Sequence, residues 1–250
     1  SSATRSLFRL GLAPAGWDHL LSAAHTTGVS VQDLETAGLV LPGRSGVHDR
    51  FRNRLIFPIE DVRGRVVGFG GRSLDDQEPK YLNSPETPLY TKGRHLFGLA
   101  QAREAIVAHK TAVIVEGYFD CIVLSGGGVP NVVSPLGTAL TTDQARLLKR
   151  YAEKIVLAFD PDAAGENATL RSIDLLVETG LQVHVARLPS GVDPDEYLRA
   201  HGQQGFERLV SDAVTIFDFL VETASRRYAL PGRSRNTEDT VAAAQFILPT

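Results

Sequence analysis

The fold of this chain is decided by two stretches, AVIVEG at residues 112–117 and IVLAFDPDAAG at residues 155–165. Each is a short run of apolar residues that ends at an acidic residue. Continuous apolar runs of this length are typical of strands buried on both faces, as in a parallel sheet covered by helices. We therefore expect two parallel strands that end at Glu116 and Asp160.

Outward from these stretches, apolar runs alternate with helical patterns between residues 108 and 190. Such alternation predicts an α/β fold with a parallel sheet. We predict a strand at 112–115, a helix through Ile122, a strand at 132–133, a helix at 142–152, a strand at 155–159, a helix at 164–177 and a strand at 182–186. Residues 1–50 and 203–250 show looser helical spacing, and Leu230–Asn236 is predicted to be a mobile loop.

Three acidic side chains follow the two decisive strands: Glu116 after the first, Asp160 and Asp162 after the second. Because active sites of parallel sheets lie at the carboxyl ends of the strands, these carboxylates converge if the strands are neighbours. Converging carboxylates repel one another unless a cation lies between them, and oxygen ligands suit Mg²⁺. Gly165 is expected to let the backbone turn closely into the next helix. Each acid alone fits a plainer role, such as capping a helix or facing solvent, but the combination favours metal binding.

The segment upstream of these strands is basic. Residues 44–103 hold eleven Lys or Arg against seven Asp or Glu, a net charge of +4, so the rest of the chain carries −7. A basic surface beside an acidic one suits a metal-dependent nucleic-acid enzyme, although a solvated charged surface gives the same counts. Within this segment, the runs at 55–59 and 65–69 flank Asp61–Gly64 and predict an antiparallel hairpin, in which Pro58 marks an edge or a bulge.

Composition excludes several other classes of protein. The chain has 250 residues, 43% of them hydrophobic, which is enough to bury a core. No window approaches the roughly 18–20 apolar residues of a membrane span, and no signal-peptide pattern opens the sequence, so we expect a cytoplasmic location without membrane contact. A single Cys121 excludes an internal disulfide and a paired-cysteine zinc site, and favours a small apolar residue inside a helix. The absence of Met leads us to expect a piece of a longer protein.

The acidic pattern resembles the Toprim domain, which bacterial primases share with type IA and type II topoisomerases and with some nucleases and repair proteins. This resemblance covers about residues 110–190. A further series of blocks resembles the successive signatures of bacterial DnaG-type primases, in the family's order. The blocks are residues 49–59, 68–72, 80–87, 92–99, 115–120 and 136–141. The match runs from about residue 49 to residue 198.

The primase resemblance implies roles for individual residues. It implies that Asp193 and Asp195 extend the metal-binding cluster, whereas acids at a helix start, favoured by the macrodipole, are the alternative. It implies nucleotide or DNA contacts for Arg50, Arg52, Arg72, Lys80, Asn83 and Lys92, and it places Asp120 in the wall of the active site. Tyr81 either stacks on a base or packs against protein. The amides of residues 136–138 either contact phosphate or form a plain turn.

The resemblance also implies an organisation and a reaction. We expect a basic mixed α+β subdomain at 1–108, a Toprim-type parallel sheet flanked by helices at 109–188, and a helical subdomain at 189–250. The implied reaction is metal-dependent nucleotidyl transfer, with Mg²⁺ or Mn²⁺, which joins ribonucleoside triphosphates into short primers on single-stranded DNA at the bacterial replisome. Family members carry a zinc-binding domain before this region and a helicase-binding domain after it. Zinc and the replicative helicase are therefore expected to bind outside this chain.

Two positions depart from the commonest family pattern. Pro161 stands between the two aspartates where glycine is frequent, and Pro135 precedes Leu136. Neither change removes a ligand. Because the residue before a proline is biased towards extended geometry, Pro161 suits Asp160 at the end of a strand.

Other Toprim proteins provide the alternative functions. A topoisomerase fragment needs a DNA-attacking tyrosine on a separate domain, and Tyr118 lies too close in sequence to the acidic residues to serve. A metal-dependent nuclease would use the same acids but would not need the blocks around Lys80 and Lys92. A non-catalytic binding module is the third possibility, and loss of the acids would mark it.

Overall fold

The amino-terminal part of the chain is built around a four-stranded antiparallel sheet. The computed structural model describes residues 1–44, 46–75, 78–137 and 139–227. Its first elements are α1 (Ser2–Leu7), β1 (Gly11–Ala13), α2 (His19–Thr27), α3 (Val31–Thr36), β2 (Val40–Gly43), β3 (Gly46–Asp49), β4 (Arg54–Glu60), β5 (Val66–Ser73), β6 (Tyr81–Asn83) and a short 3-10 turn at Lys92–Arg94. The strands β1, β4, β5 and β6 form the sheet in that order, and β2 pairs with β3.

The predicted hairpin is confirmed, because β4 and β5 are antiparallel partners on either side of Asp61–Gly64. Pro58 lies opposite Phe69 in this pair. On its other side β4 pairs with β1 only over residues 54–56, so Pro58 lies where β4 is locally an edge. The register also shifts between Ile59 and Glu60. An imide nitrogen, which cannot donate a hydrogen bond, is tolerated at such a place.

The loosely helical expectation for residues 1–50 is only partly met. Three helices form, but β1 and the β2–β3 pair lie among them. Strands of three or four residues are too short to show the alternation that identifies a strand in sequence. The buried carboxylate of Asp49 accepts hydrogen bonds from the backbone N–H groups of Leu20 and Leu21, 2.6 and 3.1 Å away, and so holds the start of α2.

The second part of the chain contains the predicted parallel sheet. Its elements are α4 (Leu99–His109), β7 (Thr111–Ile114), α5 (Tyr118–Gly126), β8 (Val132–Val133), α6 (Thr142–Lys149), β9 (Lys154–Leu157), α7 (Ala163–Glu178), β10 (Gln182–Val185), α8 (Pro194–Ser211), β11 (Val214–Thr215) and α9 (Ile216–Arg227). The strand order is β8–β7–β9–β10–β11, and the first four strands are parallel. The α/β fold is therefore confirmed.

Alternate residues of the parallel strands fill two different cores. Val113 and Val156 point to one face, where they join a cluster that also contains Phe57 from β4 and Tyr118 from α5. The opposite face packs against α4, α6 and α7. Cys121 is fully buried on α5, as expected of a small apolar residue. Since the first cluster contains residues of both sheets, one core fixes the basic sheet against the parallel sheet.

The last described elements depart from the helical expectation in one place. The two-residue strand β11 pairs antiparallel with β10 and extends the sheet, and it is too short to leave a periodic signal. Gly202 interrupts α8 with a φ of 66°. The predicted loop at Leu230–Asn236 lies outside the described residues, as does residue 138 of the turn at 136–138, and the subdomain boundaries stay predictions. No helix within the described residues is long and apolar enough to cross a bilayer.

Candidate active site

The two decisive strands are neighbours, so their terminal acids meet. In the parallel pair of β7 and β9, Ile114 lies beside Leu157, and Glu116 and Asp160 follow these residues. The backbone N–H of Asp160 donates a hydrogen bond to Oε1 of Glu116 over 3.2 Å. The predicted approach of Glu116 to Asp160 is therefore present.

Gly165 makes the tight turn after β9 possible. A Cβ at this position would lie 2.1 Å from the carbonyl oxygen of Asp160 and 2.9 Å from Oε1 of Glu116. No side chain fits there without moving the backbone of the acidic loop. The backbone N–H of Gly165 donates to Oδ1 of Asp162 over 2.7 Å, so Asp162 is the N-cap of α7. The capping role considered for Asp162 is real, and it fixes the direction of that carboxylate.

The pKa values of Glu116 and Asp160 are raised at this edge of the sheet. Burial is the largest cause that raises the pKa of Asp160 to about 7, and the charges of Glu116, Asp193, Asp120 and Asp162 raise it further. Burial, followed by the charges of Asp162 and Asp193, also raises the pKa of Glu116. Clusters of this kind, which oppose their own ionisation, are typical of functional sites.

Asp120 joins this cluster from the first turn of α5. Burial raises its pKa to about 6, helped by the charges of Asp195 and Asp193. Asp193 is the N-cap residue of α8 but makes no side-chain capping bond. Asp195 pairs with Arg199 at 2.5 Å, one turn later on the same helix. The five acids singled out from the sequence, together with Asp120, thus share one electrostatic environment at the carboxyl edge of the sheet.

The donor set fits a hard divalent cation. Among the residues that the structure describes, no group of three or more His, Cys, Asp or Glu side chains is already arranged around a single metal position. Mg²⁺ does not require such a cage, because it commonly binds through one or two carboxylates and completes its shell with water and substrate phosphates. Mutually repelling carboxylates are the environment that such an ion stabilises.

Two of the basic residues predicted to contact nucleotide or DNA, Arg50 and Arg52, lie between β3 and β4 and are held by protein contacts. Arg50 donates two hydrogen bonds to the carbonyl oxygen of Asn83, at 2.9 and 3.3 Å. Arg52 donates to the carbonyl of Asp49, and its guanidinium lies 4.2 Å from the centroid of the Trp17 ring. These contacts set the direction of both guanidinium groups.

Arg72 connects the basic sheet to the acidic edge. Its guanidinium lies 4.6 Å from the ring centroid of Phe119 on α5 and 5.8 Å from that of Tyr81 on β6. Tyr81 is 41% exposed, so part of its side chain faces solvent. Burial raises the pKa of Tyr81, as does the nearby charge of Asp120, while Arg72 opposes them. Arg72 and Tyr81 therefore lie beside the acid cluster.

Asn83 and the two lysines complete the predicted set. The Asn83 side chain donates to the carbonyl of Leu136 over 2.9 Å, and its oxygen accepts from the Tyr118 hydroxyl over 2.6 Å. Lys80 is exposed just before β6, and Lys92 is half-buried in the 3-10 turn, where its carbonyl accepts from Gln144. No contact in the structure tests the predicted role of these three residues with nucleotides.

Two features of the site were not singled out from the sequence. Arg54 is 7% exposed, and its guanidinium donates to the carbonyls of Gly71 and Lys80 at 3.4 and 3.3 Å. The glycine pair at 70–71 leaves room beside β4 and could have indicated that the Arg54 side chain lies there. A cleft of about 670 Å³ also opens beside Asp160, lined by Arg187 and Arg226. Nothing in the local sequence indicates that cleft, because its walls come from three separate elements.

Two models of known families match the chain. Residues 1–103 match the family model described as "DNA primase catalytic core, N-terminal domain". Residues 113–198 match the model described as "Toprim-like".

Individual relatives agree with these models. A DNA primase from Clostridium acetobutylicum is 50% identical over 221 residues, which are 88% of this chain and 37% of that protein. A DNA primase domain from Pseudomonas aeruginosa is 36% identical with a TM-score of 0.87, covering 99% of this chain and 78% of that one. A DnaG primase catalytic domain bound to single-stranded DNA is 35% identical with a TM-score of 0.85, covering all of this chain and 80% of that one. Seven other curated DNA primases are matched over only 34–44% of their length.

Proposed function

Because the chain belongs to the family of bacterial DnaG-type DNA primases and corresponds to their catalytic core, we propose that it joins ribonucleotides into short RNA primers on single-stranded DNA. The observation that carries this proposal is the contact between Glu116 and Asp160 at the edge of the parallel sheet, beside Arg72 of the basic sheet. Acids that can hold divalent ions and bases that can hold phosphates are the two components that phosphoryl transfer requires.

The acidic side chains are proposed to bind Mg²⁺ or Mn²⁺. Glu116, Asp160 and Asp162 form the central set, and Asp193 and Asp195 extend it. A bound divalent ion would lower the pKa of the attacking 3′-hydroxyl and neutralise the charge that develops on the leaving group. One oxygen of Glu116 and one oxygen of Asp162 each accept a hydrogen bond from a backbone N–H group. These bonds orient the carboxylates towards the shared edge.

The basic side chains are proposed to hold the triphosphate and the template. Arg72, Lys80 and Lys92 suit the triphosphate, because guanidinium and ammonium groups bind phosphate oxygens through charge-assisted hydrogen bonds. Arg50 and Arg52 suit the sugar–phosphate backbone of the template. Two further residues are assigned to the walls of the nucleotide site, Asn83 and Asp120.

Single-stranded DNA is the template that we propose, and ribonucleoside triphosphates are the substrates. A related catalytic domain was solved with single-stranded DNA, which supports the choice of template. Binding of the replicative helicase and of zinc by regions outside this chain stays a prediction, as does the cytoplasmic location at the replisome.

The surroundings of Tyr118 disfavour this residue as the attacking tyrosine of a topoisomerase. Its ring is 5% exposed, and its hydroxyl donates to Asn83. Burial raises the pKa of this hydroxyl, which makes the nucleophilic phenolate harder to form. A tyrosine that attacks a DNA phosphate needs access and a hydroxyl that ionises readily, whereas Tyr118 is buried and its pKa is raised.

The test is primer synthesis by the chain with ribonucleoside triphosphates, Mg²⁺ or Mn²⁺, and a single-stranded template, with radiolabelled products separated on a gel. A dinucleotide that starts the primer removes the need for initiation. Wild-type protein is expected to extend it, and Asp160→Asn is expected to lose this activity while keeping its circular dichroism spectrum. Glu104→Gln is the matched control, because Glu104 is exposed on α4 and lies outside the cluster.

Two results would count against this function. If Asp160→Asn retains activity near that of Glu104→Gln, the assignment of the acidic edge is wrong. If wild-type protein shortens a labelled strand instead of extending the dinucleotide, the chain is a nuclease.

A further inference from the structure

The hydroxyl group of Tyr118 links the helix α5 to the basic sheet by a side-chain hydrogen bond. Tyr118 lies on α5, between Glu116 and Asp120 in sequence, and its hydroxyl donates to Oδ1 of Asn83 over 2.6 Å. Asn83 ends β6, the outer strand of the basic sheet. One hydrogen bond therefore joins the helix that carries an acid of the cluster to the strand that follows Lys80.

The ring of Tyr118 leaves its hydroxyl little freedom. It stacks on Phe57 with ring centroids 5.2 Å apart and planes 2° apart, and it meets the edge of Phe97 at 4.8 Å. A Cβ at Gly70 would lie 2.9 Å from Cζ of Tyr118 and 3.1 Å from Oδ1 of Asn83. Because Gly70 has no side chain, the Tyr118 ring and the Asn83 amide can both lie against its backbone. Such packing keeps the hydroxyl in one position, so it can define the position of its acceptor.

The other end of the Asn83 amide is also committed. Its nitrogen donates to the carbonyl of Leu136 over 2.9 Å, in the turn that follows β8. The amide thus spans from α5 to this turn, and the two bonds assign its oxygen and its nitrogen without ambiguity. Without the Tyr118 hydroxyl, the amide oxygen would lose its donor and the amide could rotate.

We infer that Tyr118 is a positioning residue for nucleotide binding: its hydroxyl orients the Asn83 amide and thereby fixes β6, the strand that follows Lys80, against the acidic edge. This inference rests on the proposed function. It assigns the hydroxyl no chemical step, and it predicts that the hydroxyl acts only through Asn83.

The experiment compares two substitutions that each remove one hydroxyl from a buried tyrosine. Tyr118→Phe keeps the ring stack and removes the hydrogen bond to Asn83. Tyr90→Phe is the control, because Tyr90 is 1% exposed and its hydroxyl has no hydrogen-bond partner within the described part of the chain. Dinucleotide extension is measured at varied nucleotide concentration, and thermal unfolding is followed in parallel.

The expected result is a rise in KM for the nucleotide of about fivefold in Tyr118→Phe, the factor that one hydrogen bond of ordinary net strength supplies, with kcat near the wild-type value. Tyr90→Phe should match wild type in both constants. In an Asn83→Ala background the KM effect of Tyr118→Phe should disappear, because the hydroxyl then has no amide to orient.

Three outcomes would overturn the inference. An unchanged KM in Tyr118→Phe means that the hydroxyl only stabilises the fold, whatever happens to the unfolding temperature. A fall in kcat without a change in KM means that it does not act through nucleotide binding, and an undiminished effect in the Asn83→Ala background means that it does not act through Asn83. Failure of the proposed function is distinguishable from all three, because wild-type protein would then extend no dinucleotide.

Discussion

Replacing Asp160 by Asn should stabilise the protein in the absence of divalent ions, although the same change should abolish activity. Asp160 lies among acids that oppose its ionisation, and Asn keeps the shape of the side chain without the charge. Most substitutions of a partly buried residue destabilise a protein. A gain in stability coupled to a loss of activity is therefore a distinctive signature of an acid cluster that exists for a cation.

The size of the effect follows from the pKa of Asp160, which rises from its ordinary value of 3.8 to about 7. A rise of about 3 units corresponds to about 4 kcal/mol, at 1.36 kcal/mol per unit. Because the carboxylate is only half-buried, solvent screening reduces this figure, and we expect about 2 kcal/mol. In a chain of this length, that corresponds to a rise of about 4–8 °C in unfolding temperature.

The pH dependence has a definite sign. Between about pH 4 and about pH 7 the folded protein holds a proton on Asp160 that the unfolded chain has released, so stability falls as pH rises through this window. Wild-type protein without divalent ions should therefore unfold at a lower temperature at about pH 8 than at about pH 5. The stability of Asp160→Asn should depend on pH less than that of wild type. Some dependence should remain, because the pKa values of Glu116 and Asp120 are also raised.

The assay is thermal unfolding by circular dichroism in EDTA at both pH values, with Glu104→Gln as the control that removes an exposed charge. Saturating Mg²⁺ should raise the unfolding temperature of wild-type protein, because a ligand that binds only the folded state stabilises it. It should stabilise Asp160→Asn less. If Asp160→Asn in EDTA unfolds at or below the wild-type temperature at about pH 8, the electrostatic account of the cluster is wrong.

Three further substitutions or reagents test single features. Gly165→Ala should cost about 3 kcal/mol in urea unfolding, because its Cβ would lie 2.1 Å from the Asp160 carbonyl oxygen; a stability equal to wild type would contradict the tight turn after β9. Cys121 is fully buried and burial raises the pKa of its thiol, so a thiol reagent should label it only as fast as the protein opens. Rapid labelling of native protein would show that α5 is not packed as described. Thr141→Ala should cost about 1 kcal/mol, because Thr141 and Gln144 form a capping box at the start of α6; urea unfolding would detect it.

The parallel sheet and the positions of Glu116 and Asp160 at the ends of its strands could be predicted because both depend on local sequence. Buried parallel strands have sequences of unbroken apolar residues, and an acid that follows such a run lies at the carboxyl end of its strand. The hairpin around Asp61–Gly64 was equally accessible, because turn residues separate two β-rich runs. Each of these features depends on residues that are close together in sequence. The meeting of the two acids also required β7 and β9 to be neighbours, which the structure shows.

The contacts of Asn83 could not be predicted for the opposite reason. Asn83 is 35 residues from Tyr118 and 53 from the Leu136 carbonyl that it binds. The primase resemblance implied only that Asn83 contacts nucleotides or DNA, whereas its side chain joins two parts of the fold. The short strands β1, β2, β3, β6 and β11 were missed because two to four residues are too few to show a period of two.

Capping and metal binding were set against each other as explanations of the acids, but the geometry makes them compatible. Glu116 uses Oε1 for the Asp160 N–H, and Asp162 uses Oδ1 for the Gly165 N–H. A carboxylate has acceptor sites on both oxygens, so each acid can be fixed by the backbone through one and still offer the other to a ligand. A fixed carboxylate loses less side-chain entropy on binding than a free one. The two backbone hydrogen bonds therefore favour ion binding at this edge instead of competing with it.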